Sequence, residues 1–244
     1  MMLRTQALVL IGACSLASAN AAAPCVNITS SLAAPGYSSV ACAPPKLDSN
    51  GRLLLWFGGS CSHPQDYMNL MEHATSLGFH ALSIRYENCP TVAAGCTEAG
   101  PTAEARCFGK LRKIRLHGGK YAVGNLSTEV TPAQAALPQF AHLLGQLGWA
   151  GFVHLGLPDW SKVVVGGSSQ GAGMALMVSQ AHRVAASLQF AGVDDVIYST
   201  GNTSKLVAAP WITEGNRAPK TPLKSVFGFS NVRGFCCEYW RINW

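Results

Sequence analysis

The residues best able to do chemistry stand together at Gly167-Ser168-Ser169-Gln170-Gly171. This G-x-S-x-G pattern lies between a β-branched run, Ser161-Lys162-Val163-Val164-Val165-Gly166, and a stretch of small and apolar residues from Gln170 to Ala181. A serine on a strained strand-to-helix turn carries its hydroxyl above the sheet edge, where it can attack an acyl carbon. Strand and helix approach so closely there that side chains flanking the turn have no room, a steric reason for Gly167 and Gly171. The pattern predicts Ser169 as a nucleophile. Acyl transfer also needs backbone donors aimed at the oxyanion that develops. The Gln170 amide, at the helix N-terminus, is one. The Gly58-Gly59-Ser60 turn, directly after the apolar run Arg52-Leu53-Leu54-Leu55-Trp56-Phe57, offers Gly59 or Ser60 as the other.

Nucleotide readings of the same turn fit poorly. A P-loop requires Gly-Lys-Ser/Thr at the helix start, and here Gly171 is followed by Ala172 and Gly173. A dinucleotide-binding turn requires a third spaced glycine, which Met174-Ala175-Leu176 does not supply. Paired Cys-x-x-Cys spacings and His clusters do not occur, so no metal is expected, and the acyl-transfer reading needs no cofactor.

These residues need elements to position them. Leu53 to Phe57 is a continuous apolar run closed by Gly58-Gly59, the pattern of a strand buried on both faces. Pro64 to Leu77 reads as a helix stopped at Gly78, and His80 to Tyr86 as the next strand, paired in parallel through a right-handed crossover. Val26 to Thr29 and Ser38 to Ala41 read as an edge hairpin. Glu87 to Leu126 is irregular and reads as a cystine-stapled excursion. A helix follows over Pro132 to Leu147, and Ser187 to Ala191 and Ser225 to Phe229 supply two further strands. Alternation of this kind predicts a doubly wound, mostly parallel α/β sheet in a single domain.

The chain of 244 residues carries a formal charge of +6, mostly from Lys110, Arg112, Lys113, Arg115 and Lys120. That stretch reads as a solvated basic face, and no nucleic-acid partner is expected from it. Met1 to Arg4, the apolar run Ala7 to Leu16 and small residues at 17–21 form a signal peptide over residues 1–21, and no later run is long enough for a membrane span. Eight cysteines then remain, an even set suited to an oxidising compartment, with Cys25–Cys42 and Cys89–Cys96 as local pairings. Sequons at Asn27, Asn125 and Asn202 agree with secretion and predict glycosylation.

Phe57-Gly58-Gly59 and Gly167-Ser168-Ser169-Gln170-Gly171 resemble the His-Gly loop and nucleophile elbow of the α/β-hydrolase superfamily, and the resemblance runs from Leu53 to Phe229. The nearest likeness is to secreted esterase-like members whose elbow reads Gly-His-Ser-Gln-Gly, with Ser168 here in place of the His. The resemblance implies a sheet of α/β-hydrolase type, ester substrates and catalytic residues in the order Ser, acid, His. Asp195 is the expected acid, ahead of Asp194 and Glu238. All seven histidines precede Asp195; His63 falls in the oxyanion loop and His182 at the far end of the helix after Ser169, so neither suits the role of base. The resemblance therefore implies that residues 22–244 are a hydrolase domain incomplete at its C-terminus, the histidine coming from a missing segment. A catalytically inactive secreted binding module on the same scaffold is the alternative, motivated by that histidine and by the basic stretch.

Overall fold

The computed structural model describes residues 25–33, 36–45, 49–98, 104–199 and 202–230. The expected signal peptide, Cys236, Cys237 and Glu238 lie outside the described residues.

Seven strands form the main sheet: β1 (Val26–Thr29), β2 (Ser38–Cys42), β3 (Leu53–Phe57), β4 (His80–Ile84), β5 (Val163–Ser168), β6 (Ala186–Phe190) and β7 (Val226–Phe229), in spatial order β1-β2-β4-β3-β5-β6-β7. The β1–β2 and β2–β4 pairs are antiparallel, and all pairs from β4 to β7 are parallel. The sheet is thus mostly parallel with an antiparallel edge, as expected for a doubly wound α/β arrangement. Both faces are covered, which explains the unbroken apolar runs. Leu53, Leu55 and Phe57 of β3 pack toward α4 (Ala136–Gln146) and α5 (Gln170–Ala181), whereas Leu54 and Trp56 pack toward α1 (Met68–Ser76). Each such buried side chain contributes about 1.5–3 kcal/mol. Register places the ends of β3 and β5 side by side, Phe57 against Gly167, so the turns after both strands open at one sheet edge.

The excursion after β4 is more ordered than its composition suggests. It holds α2 (Val92–Glu98), α3 (Glu104–His117) and a hairpin of Gly119–Val123 with Leu126–Val130. With a second hairpin, Val196–Ser199 with Asn202–Ala208, and α6 (Pro210–Arg217), these elements share a core of their own around Phe108, Leu111, Ile114 and Val193.

Two expectations need correction. The basic stretch is not uniformly solvated: Arg112 and Arg115 of α3 are 2% and 5% exposed, because they lie on the helix face that packs inward. The cystine pairs are Cys25–Cys42, Cys61–Cys89 and Cys96–Cys107. Cys89 does not pair with Cys96: the fold carries Cys89 to the loop after β3, and α2 and α3 bring Cys96 to Cys107. No helix among the described residues is long and apolar enough to cross a membrane.

Candidate active site

The turn between β5 and α5 places Ser169 at φ 51° and ψ −121°, left-handed backbone that a residue with a side chain rarely adopts. Strain of this kind costs on the order of 1–3 kcal/mol and persists only where its surroundings enforce it. Here they do. The Ser169 N–H donates to the Phe190 carbonyl at 2.8 Å and its carbonyl accepts from Ala172 at 2.9 Å. A Cβ on Gly167 would run into the Gly171 carbonyl, and a Cβ on Gly171 into the carbonyls of Phe57 and Gly58. Both glycines are thus required by backbone contact. The Ser169 side chain makes no hydrogen bond to another described residue and lines a cleft of ≈ 400 Å³, together with Ser60, Gln170, Arg112, Asp194 and Asp195. Thr91, Val92, Phe108, Val196, Ile197 and Leu206 give the cleft its mixed polar and apolar walls.

The loop after β3 is held at many points. The Gly59 N–H donates to the Tyr67 hydroxyl at 2.8 Å, and the Gly59 carbonyl accepts from Asn88 Nδ2 at 2.8 Å and from the Ser62 hydroxyl at 2.9 Å. Tyr67 Oη also lies 3.0 Å from Ser168 Oγ, tying the loop to the residue before Ser169. The Tyr86 hydroxyl donates to the Gly58 carbonyl at 2.7 Å, and burial pushes its pKa up to about 12, so it stays a neutral donor. The Cys61–Cys89 cystine closes the same loop onto residues 88–92. Of the two expected loop donors, Gly59 therefore has its amide already engaged, and Ser60 lines the cleft.

Gln170 is buried. Its Oε1 accepts from the Val92 N–H at 2.7 Å and its Nε2 donates to the Asn88 carbonyl at 3.0 Å, so the side chain fastens the start of α5 to the excursion loop. Its own amide belongs to the first turn of α5, where helix N–H groups lack helical acceptors and the helix dipole favours negative charge.

Asp195 is brought to this cleft and is 3% exposed. Its Oδ2 accepts from Arg112 Nε at 2.6 Å and from the Trp211 indole N–H at 2.8 Å, and its Oδ1 accepts from Arg112 Nη2 at 2.6 Å. Burial by itself would favour a neutral Arg112, but the attraction of Asp195 prevails and its pKa lies above the ordinary guanidinium value. Arg112 therefore stays a cation. Arg112 also donates to the Gln170 carbonyl at 2.6 Å.

No histidine is among the described residues lining the cleft. His63 is exposed, with Nδ1 3.4 Å from Arg85 Nη1. His182 follows the last turn of α5 and stacks on Trp160 with ring centroids 4.4 Å apart. Asn27 and Asn125 are exposed, whereas the side chain of Asn202 lies outside the described residues.

Sequence reasoning missed Arg112, Tyr67 and Trp211. For Arg112 a signal existed: Phe108, Leu111, Arg112 and Arg115 fall at helical spacing with Cys107 and Ile114, which places two arginines within an apolar stripe. Tyr67 falls inside the helical pattern of Pro64 to Leu77, and nothing local distinguishes it from a packing residue.

No protein-family model matches the chain, and no curated protein matches it. Among solved structures it is similar to a fluorophosphonate-binding serine hydrolase of Staphylococcus aureus at 10% identity and a TM-score of 0.39, over 70% of this chain and 56% of that one. It is similar to a hormone-sensitive lipase from a metagenome library at 14% identity and a TM-score of 0.31, over 63% of this chain and 40% of that one. A Klebsiella pneumoniae protein assigned as a dienelactone hydrolase aligns at 12% identity and a TM-score of 0.48, over 91% of this chain and 80% of that one. The chain thus spans less than two thirds of the first two proteins.

Proposed function

We propose that this chain is a secreted serine hydrolase of α/β-hydrolase type that cleaves carboxylic esters through an acyl-enzyme at Ser169. The observation that carries the reading is the backbone of Ser169: a strained serine, enforced by two sterically required glycines, at the mouth of a cleft and the start of a helix. Strain held at a cleft-facing serine serves no packing purpose, because its side chain has no described partner. In the proposed reaction Ser169 Oγ attacks the ester carbonyl, the alcohol departs with a proton, and water then releases the acid. The Gln170 and Ser60 amides would donate to the tetrahedral oxyanion, each such donor being worth about 100-fold to 1000-fold in rate. Asp195, which lines the cleft beside Asp194, is the preferred acid in this reading, and residues 22–244 belong to one hydrolase domain. Three cystines and the N-terminal leader support secretion, and glycosylation at Asn27, Asn125 and Asn202 belongs to the same proposal.

A second reading, a catalytically inactive binding module, is favoured by one observation: the described lining of the cleft contains no histidine, and triad members act as a unit. Labelling of the secreted protein with a fluorophosphonate probe decides between them. Covalent labelling of wild type that disappears in Ser169→Ala, with hydrolysis of short-chain aryl esters, supports the hydrolase. A folded wild type that neither labels nor hydrolyses esters supports the binding module.

A further inference from the structure

Arg112 is one of the largest fully buried side chains in the protein, and the proposed reaction gives it no role. Its position is unusual on electrostatic grounds. The first turn of a helix is the positive end of the dipole, and a cation placed there is unfavourable; yet its Nη1 donates to the carbonyl of Gln170, the first residue of α5. Asp195 supplies the compensation through a bidentate pair, and Trp211 covers the assembly, with its ring centroid 5.5 Å from the guanidinium carbon. The helix itself makes the space. A Cβ at Gly173 would fall on the guanidinium group, so α5 carries a glycine in its interior where alanine would form helix better by about 1 kcal/mol.

A pair that only held the fold together would need no contact with the elbow. This one reaches the residue that follows Ser169, whose side chain is already fixed to Val92 and Asn88 on the other side. Gln170 is therefore gripped at its side chain by the excursion loop and at its backbone by α3. We propose that Arg112 is a positioning residue: with Asp195 as its anchor it fixes the first turn of α5, and so the direction of the Gln170 amide that receives the oxyanion. This rests on the serine-hydrolase reading for its consequence in catalysis, but the positioning itself is a property of the fold. Asp195 acts on the site through Arg112 whether or not it also orients a base. The planar fork matters here. A lysine keeps the charge but cannot hold a carboxylate in bidentate fashion and reach a carbonyl at the same time.

Two variants displace the guanidinium by independent routes. Arg112→Lys retains the cation opposite Asp195 and removes the fork, whereas Gly173→Ala leaves both charges in place and occupies the space. Lys113→Met, on the exposed side of α3, is the control. The readouts are the fluorophosphonate labelling rate at Ser169 and deuterium exchange of the 167–178 segment in each purified, folded protein. Both variants are expected to slow labelling by about 10-fold to 100-fold, through the inactivation rate constant with little change in the half-saturating probe concentration, and to speed exchange at the start of α5, while Lys113→Met changes neither. Should Arg112→Lys fail to fold, Gly173→Ala carries the test alone. Wild-type labelling and exchange in folded Gly173→Ala would overturn the proposal. If wild type itself does not label, the hydrolase reading fails, and exchange alone decides: faster exchange in the variants upholds the positioning role, and unchanged exchange removes it.

Discussion

The two ends of α5 place comparable polar groups in opposite circumstances. At the N-terminal end Ser169, Gln170, Arg112 and Asp195 meet beside an open cleft, and their contacts draw on α3, α6 and the loop at residues 88–92. The C-terminal end lies about 18 Å away by helix rise. There His182 stacks on Trp160, and the buried Thr221 hydroxyl accepts from the Val184 N–H at 2.9 Å while donating to the His182 carbonyl at 2.7 Å. Burial first, and then the neighbouring charge of His117, lowers the His182 pKa. The imidazole packs as a neutral ring. Strained backbone and a cleft coincide at the N-terminal end of this helix, where the dipole also favours an anion.

The contrast can be broken most directly by unpairing the N-terminal cluster. Arg112→Met leaves the Asp195 carboxylate buried without its cation and should lower the unfolding free energy by about 3–5 kcal/mol in urea titration. His182→Phe, which keeps the stack on Trp160, should change it by less than about 1 kcal/mol. Equal losses from the two would remove the distinction. Next in size is Gly171→Ala, whose Cβ meets the Phe57 carbonyl. A cost of about 1–3 kcal/mol is expected from overpacking, with loss of probe labelling as the elbow is pushed open. Thr221→Val deletes the acceptor of the Val184 amide at the other end of α5 and should cost about 1–2 kcal/mol while leaving labelling intact; a labelling defect there would show that the two ends are coupled.

The smallest effect is one of pH. A histidine whose folded pKa is lowered binds its proton more readily when unfolded, so its contribution is full above about pH 6.5 and is lost as the pH falls below that value. His182 belongs to this class. So does His80, whose ring is wedged between Trp149 and Phe152 and whose pKa burial lowers. The melting temperature should therefore drop between pH 7 and pH 5.5, and His182→Phe should flatten part of that drop. A wild-type melting temperature independent of pH over that interval would contradict the assignment.

Much of the scaffold was legible in the chain. Leu53 to Phe57 and Val163 to Val165 are continuous apolar runs because parallel strands covered on both faces tolerate no polar side, and such runs announce themselves without tertiary context. The elbow was legible for a related reason, since backbone collision at Gly167 and Gly171 is settled within a few residues of Ser169 and its two flanking elements. The α3 helix was not. Arg112 and Arg115 interrupt its apolar stripe, and a charged side chain reads as surface unless its partner is known. That partner, Asp195, lies 83 residues away. The Cys61–Cys89 pairing was hidden for the same reason, because nearness along the chain favoured Cys96 until the folded loops brought Cys89 to Cys61.

The sequence by itself thus determined the class of sheet, the serine at its edge and the helix that follows, because local sterics and the period of apolar residues suffice to specify them. Only the tertiary structure decided which amides of the Gly58 loop are already engaged, which cation reaches Gln170 and what the Asp195 carboxylate holds. Hydrogen bonds and buried ion pairs join groups from distant parts of the chain, and their energies depend on burial and geometry that no local pattern contains.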